Sequence, residues 1–124
     1  MTTLLTNARL IDPEAGTETR GWLAYDGGTI LATGAEGKTP APRVDQTFDC
    51  DGLCLAPGIV DMGVKVCEPG ERHKESFRSA GLAAAAGGVT TIVTRPDTTP
   101  AIDNPETLEF VNRRANEVAP VRGG

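Results

Sequence analysis

Several features are missing from this chain, and each absence closes a class of function. No apolar run approaches the ~20 residues of a membrane-spanning helix. Met1 to Ile11 lacks a basic start followed by an apolar core, so no signal peptide is expected. Lysine and arginine nowhere cluster, and 12 of them stand against 17 Asp and Glu for a formal net charge of −5. That balance excludes nucleic acid as the main partner. The three cysteines, Cys50, Cys54 and Cys67, are odd in number and lack CxxC spacing. They read as reduced thiols of a cytoplasmic protein, not as a zinc finger or disulfide framework. No P-loop or dinucleotide fingerprint occurs. Aromatic residues are few (Trp22, Tyr25, Phe48, Phe77, Phe110), and His73 is the single histidine.

Glycine (15) and proline (9) are plentiful by contrast. A length of 124 residues suits one modest domain or two small ones. It is about half of the ~250 residues of a complete (β/α)8 barrel.

Residues 1–55 read as a β-module. Thr3 to Ile11 is the first strand and Asp12 to Gly16 its turn. Gly21 to Tyr25 and Thr29 to Thr33 flank a hairpin turn at Asp26-Gly27-Gly28. Glu36 to Arg43 is a loop, and Val44 to Cys50 a further strand closed by Asp51-Gly52. From residue 56 the pattern changes to β-α-β-α. Gly58 to Met62 is an apolar run of the kind buried in a parallel sheet. Glu75 to Ala86 predicts a helix with Phe77, Ala80, Gly81 and Ala84 on one face, closed by a left-handed cap at Gly87-Gly88. Thr90 to Thr94 is a β-branched strand. Asn104-Pro105-Glu106 supplies an N-cap, a first-turn proline and an acid for a second helix whose face carries Leu108, Val111, Ala115 and Val118.

The most informative stretch is Ala56-Pro57-Gly58-Ile59-Val60-Asp61-Met62-Gly63-Val64-Lys65-Val66-Cys67-Glu68-Pro69-Gly70. His73-Lys74-Glu75, Ala84 to Thr91 and Arg95-Pro96-Asp97-Thr98-Thr99-Pro100 follow it. Together they resemble the dihydroorotase branch of the amidohydrolase superfamily, across essentially the whole chain. The resemblance implies an α/β fold: half of a composite β-sandwich (residues 1–55), then the first two βα units of a (β/α)8 metal-dependent hydrolase barrel, truncated (residues 56–124). It also implies zinc and the reversible cyclisation of carbamoyl aspartate to dihydroorotate in pyrimidine biosynthesis.

In that family the first barrel strand ends in Asp-x-His-x-His. Residues i and i+2 of a strand face the same way, so two imidazoles converge on one metal at the barrel mouth. Here the motif is Asp61-Met62-Gly63-Val64-Lys65. Glycine has no donor, and a protonated lysine has no lone pair for a metal. The family's substrate-binding Arg is Cys67, and the Asn expected after the second strand is Asp97. A thiol cannot form the guanidinium fork that grips a carboxylate, and Asp97 would repel a dianion. The remaining family machinery, including the bridging lysine and the later histidines, would lie beyond Gly124.

Plain alternatives stand beside these readings. His73 reads as a solvated loop residue. Lys65 either snorkels to the barrel mouth, or its ammonium stands in for the metal's charge by neutralising Asp61 or Asp97 in the former site. Cys67 lacks a nearby base and reads as inert, and Cys50 and Cys54 as packing residues. Glu68-Pro69-Gly70 reads as a tight turn, Asp61 as a local cap or pairing group, and Gly81, Gly87 and Gly88 as helix–sheet packing positions.

The expectation is a catalytically silent dihydroorotase-like protein with no catalytic residue and no cofactor, zinc belonging to active members. Its expected role is as a structural chain with aspartate carbamoyltransferase, or in self-association through apolar edges that a truncated barrel leaves open. The rival is an active dihydroorotase, or a related zinc cyclic amidohydrolase, with a rearranged metal site. A free-standing binding module is the third reading.

Overall fold

A computed structural model describes all 124 residues, which divide into two units, Met1–Pro57 and Gly58–Gly124. No helix is long and apolar enough to cross a membrane.

The first unit is one sheet built around β1 (Thr2–Asp12). β2 (Thr17–Asp26) pairs with it antiparallel, and β3 (Thr29–Ala35) pairs antiparallel with β2. β4 (Gln46–Asp49) and β5 (Cys54–Leu55) both lie parallel to β1, one after the other along its length. The first hairpin turns because Asp12 Oδ1 accepts from the backbone N–H groups of Glu14 and Ala15, at 3.0 and 3.2 Å.

The change of partner from β4 to β5 has a local cause absent from the sequence reading. Asn7 adopts φ +52, and the β1–β2 register shifts between Leu5 and Ala8. Asparagine tolerates this left-handed region better than most residues. Its side chain donates to Asp49 Oδ1 at 3.1 Å, and its carbonyl accepts from Gly52 N at 2.8 Å. The bulge thereby anchors the turn that links β4 to β5.

One face of the sheet carries the buried cluster Leu4, Trp22 and Ala24, with Val44 packed against it. Trp22 Nε1 donates to Thr39 O at 2.9 Å, tying down the proline-containing loop. Residue 34 must be small: a β-carbon there would lie 2.4 Å from the Trp22 ring. The opposite face, with Thr3, Leu5, Tyr25, Gln46 and Phe48, forms an open groove. Cys54 is exposed and not packed as expected, because the two-residue β5 joins the sheet only along β1.

The second unit is a three-stranded parallel sheet, β6 (Ile59–Val64), β7 (Val89–Thr94) and β8 (Arg122–Gly123). α1 (Phe77–Ala86) and α2 (Pro105–Val118) connect consecutive strands. The core is Val66, Phe77, Ile92, Val111 and Ala115. α1 begins later than the expected Glu75. Ser76 takes an extended conformation and forms a reciprocal capping box with Ser79. Its C-cap Gly87 has φ −89, and the left-handed residue is Gly88, at φ +81. Asn104 caps α2 by accepting from Thr107 N at 2.8 Å, with Pro105 in the first turn.

Other expectations need correction. The β6 run is not buried: Ile59, Val60 and Met62 are exposed. β6 is an edge strand, bonded on the β7 side alone, and the helices pack instead over Ile92 of β7. Leu108 is half exposed, because the buried stripe of α2 starts one turn later at Val111. Gly81 packs against the loop after α2, not against the sheet; a β-carbon there would sit 2.5 Å from Pro120 Cδ. The closing residues form β8, and Gly124 just after it donates to Ile92 O at 3.1 Å and accepts from Thr94 N at 2.7 Å.

Two carboxylates fasten the β4 edge. Asp45 Oδ2 accepts from Thr2 N at 2.8 Å and from Thr2 Oγ1 at 3.1 Å. Asp49 Oδ1 accepts from Asp51 N at 2.8 Å as well as from Asn7. The backbone donors, Thr2 N–H and Asp51 N–H, are the main cause that holds both carboxyls below their ordinary range. A depressed carboxyl stabilises the fold above its unfolded pKa and loses that contribution as pH falls through the folded value. The first unit is therefore expected to weaken below about pH 4. Thermal melts across that window should show a smaller acid-induced loss in the Asp45→Ala, Asp49→Ala double variant than in the parent.

Candidate functional site

In parallel α/β sheets, ligands gather at the carboxyl ends of the strands. Here those ends are Val64 of β6 and Thr94 of β7, joined by the bond from Arg95 N to Val64 O at 2.9 Å. Met62 pairs with Val93 and Val64 with Thr94, which leaves Gly63 outside the ladder as a bulge. Gly63 has φ +86, and a β-carbon there would meet no atom within 4 Å. Glycine is thus needed for the backbone conformation and not for lack of room. The bulge also breaks the strict alternation that the sequence reading assumed between positions 61, 63 and 65.

Lys65 follows β6 and Arg95 follows β7, and both reach the same atom. Lys65 Nζ lies 3.6 Å from Asp97 Oδ2, and Arg95 Nη2 lies 3.1 Å from it. All three side chains are about half exposed. Asp61 stands opposite Ile92 on β6, exposed and outside this ion cluster. Cys67 is a half-buried free thiol, and His73 is exposed on the following loop. Lys74 donates to Glu71 on that loop. The bond holds the Glu71 carboxyl below its ordinary range and the Lys74 ammonium above its own.

The loops after β6 and β7 are pinned together. Thr99 N donates to Pro69 O at 3.3 Å. Gly70 lies so close to Thr99 that a β-carbon would sit 2.0 Å from its carbonyl oxygen.

Glu68 is the residue that sequence reasoning missed. It lies in a turn with Pro69 and Gly70, as expected, but its carboxylate is also only 4% exposed. Its Oε1 accepts from Arg114 Nε of α2 at 2.7 Å, and its Oε2 accepts from Phe77 N at the start of α1 at 3.2 Å. A signal was available: α1 has no acid in its first turn. Arg114 also follows Val111 by three residues on an otherwise apolar face. A distant carboxylate satisfies both the helix N-terminus and the half-buried guanidinium.

The zinc implied by the resemblance does not fit these residues. Zinc takes imidazole, thiolate or carboxylate donors. Positions 63 and 65 offer a bare backbone and an ammonium, and two cations already engage Asp97. No group of three or more His, Cys, Asp or Glu side chains is placed to hold a metal.

The fold matches an L-hydantoinase from Arthrobacter aurescens with a TM-score of 0.84, at 22% identity, over 98% of this chain and 26% of that one. A D-hydantoinase matches with a TM-score of 0.80 at 25% identity, over all of this chain and 26% of that one. A family model described as dihydro-orotase-like matches residues 52–123, more than half of the chain. The chain belongs to the dihydroorotase-like family. A dihydroorotase of the Wolbachia strain from Drosophila simulans is 44% identical over 116 residues, 94% of this chain and 26% of the relative. A dihydroorotase-like protein of Pseudomonas putida is 42% identical over 120 residues, 96% of this chain and 28% of the relative. The chain spans about a quarter of the length of these relatives.

The two ion clusters should respond differently to substitution. Arg114→Met strands a buried carboxylate and is expected to cost about 3 kcal/mol in urea unfolding. Adding Glu68→Gln should recover part of that loss. Asp97→Asn breaks only exposed pairs and is expected to change stability by less than about 1 kcal/mol.

Proposed function

We propose that this chain is the N-terminal part of a catalytically silent, cytoplasmic dihydroorotase-like protein. Its role is structural: it serves as the non-catalytic chain of an assembly with aspartate carbamoyltransferase in pyrimidine biosynthesis. One observation carries the reading. The strands, caps and pinned loops around the mouth of β6 and β7 are formed, while Gly63, Lys65, Cys67 and Asp97 stand where the family resemblance implies metal-binding and substrate-binding groups.

Physical chemistry supports the silent reading. Hydrolytic ring opening in this superfamily uses a metal that lowers the pKa of bound water to near 7, and the reverse cyclisation releases that water. An ammonium paired with a carboxylate supplies neither a donor nor an open position for that water. An anionic substrate would also face the Asp97 carboxylate where a neutral amide is expected.

The test uses the full-length protein. Elemental analysis is expected to find no stoichiometric zinc, and a dihydroorotase assay no turnover. Aspartate carbamoyltransferase from the same organism is expected to co-elute with the protein and to lose thermal stability without it. Stoichiometric zinc together with turnover would establish instead an active amidohydrolase with a rearranged site. Absence of co-elution would remove the assembly role.

A further inference from the structure

We infer that Lys65 is a resident cation: its ammonium takes the metal's place at the mouth of β6 and β7, and by engaging Asp97 it makes that mouth refuse a divalent ion. The inference rests on the silent reading above and identifies what replaced the metal's charge.

Lys65 Nζ and Arg95 Nη2 converge on one oxygen of Asp97, at 3.6 and 3.1 Å. The two cations come from different strand ends, which the Arg95 N to Val64 O bond holds side by side. The ion group therefore ties β6 to β7, as a metal with donors from both strands would. Steric exclusion plays no part, since the space beside Gly63 is open. What excludes a metal is charge and donor chemistry. Even at the screening of bulk water, an ammonium about 4 Å from a dication weakens binding more than tenfold. The nearby charges do not reverse this. Glu71 is taken up by Lys74, and Asp61 lies outside the cluster.

Cobalt and zinc uptake by the full-length protein tests the idea, measured by equilibrium dialysis with elemental analysis. Gly63→His, which adds one imidazole but keeps Lys65, is expected to take up no more metal than the unmodified protein. Gly63→His with Lys65→Gln removes the ammonium and is expected to bind cobalt at least tenfold more tightly than Gly63→His alone. Gly63→His with Lys65→His is expected to bind tighter still. Equal affinity of Gly63→His with and without Lys65→Gln overturns the inference.

Histidine at position 63 strains the backbone there, so a second measurement leaves Gly63 in place. Hydrogen exchange at the Arg95 amide is expected to quicken several-fold in Lys65→Gln at low salt and to stay unchanged in Lys65→Arg. Equal exchange in both variants also overturns the inference. Stoichiometric zinc and turnover in the unmodified protein would sink the silent reading itself. A metal-free, inactive protein whose Lys65 variants behave alike would sink only the resident cation.

Discussion

The Glu68 carboxylate meets three elements at once. It lies on the loop that leaves β6, caps the first amide of α1 and pairs with Arg114 of α2. A charge this buried is tolerated only when it is paired and hydrogen-bonded. The loop after β6 and both helices must therefore meet in one arrangement. Phe77, whose amide Glu68 binds, is among the most deeply buried side chains of the unit, beside Val66 and Ile92. One polar contact thus sets the register in which the apolar core closes.

The same carboxylate anchors one of three fastenings at the strand mouth. Glu68 fixes the base of the loop, Gly70 and Thr99 lock it against the loop after β7, and Lys65, Asp97 and Arg95 tie the two strand ends at the surface. The three fastenings differ in strength. The buried pair dominates because a low dielectric strengthens it and its loss strands a charge. The exposed cluster is screened by water and contributes specificity of charge more than stability.

Much of the architecture was legible from local chemistry. Asp26-Gly27-Gly28 made its hairpin and Asn104-Pro105 opened its helix, because turns and caps are decided by a few adjacent residues. The β6 run read correctly as a strand and wrongly as buried, since burial depends on what lies beside a strand and periodicity reports only the strand itself. The Asn7 bulge escaped notice because an asparagine within an alternating strand carries no local sign that the register will shift. Of the candidate site, it was plain in the residue types that Gly63 has no side-chain donor and that Lys65 carries an ammonium. The convergence of Lys65 and Arg95 on a single oxygen was not, because it joins residues 30 positions apart through strand pairing.

The sequence alone determined the longer strands and both helices, the family and the chemistry that positions 63, 65, 67 and 97 can offer. These are properties of residue identity and near-neighbour spacing. Tertiary structure decided which charges meet. Glu68 shows only its turn until α2 brings Arg114 to its carboxylate, and Lys65 has both Asp61 and Asp97 as possible partners until strand pairing brings Asp97 to it. Ion pairs act over a few ångströms of space, whatever the separation along the chain.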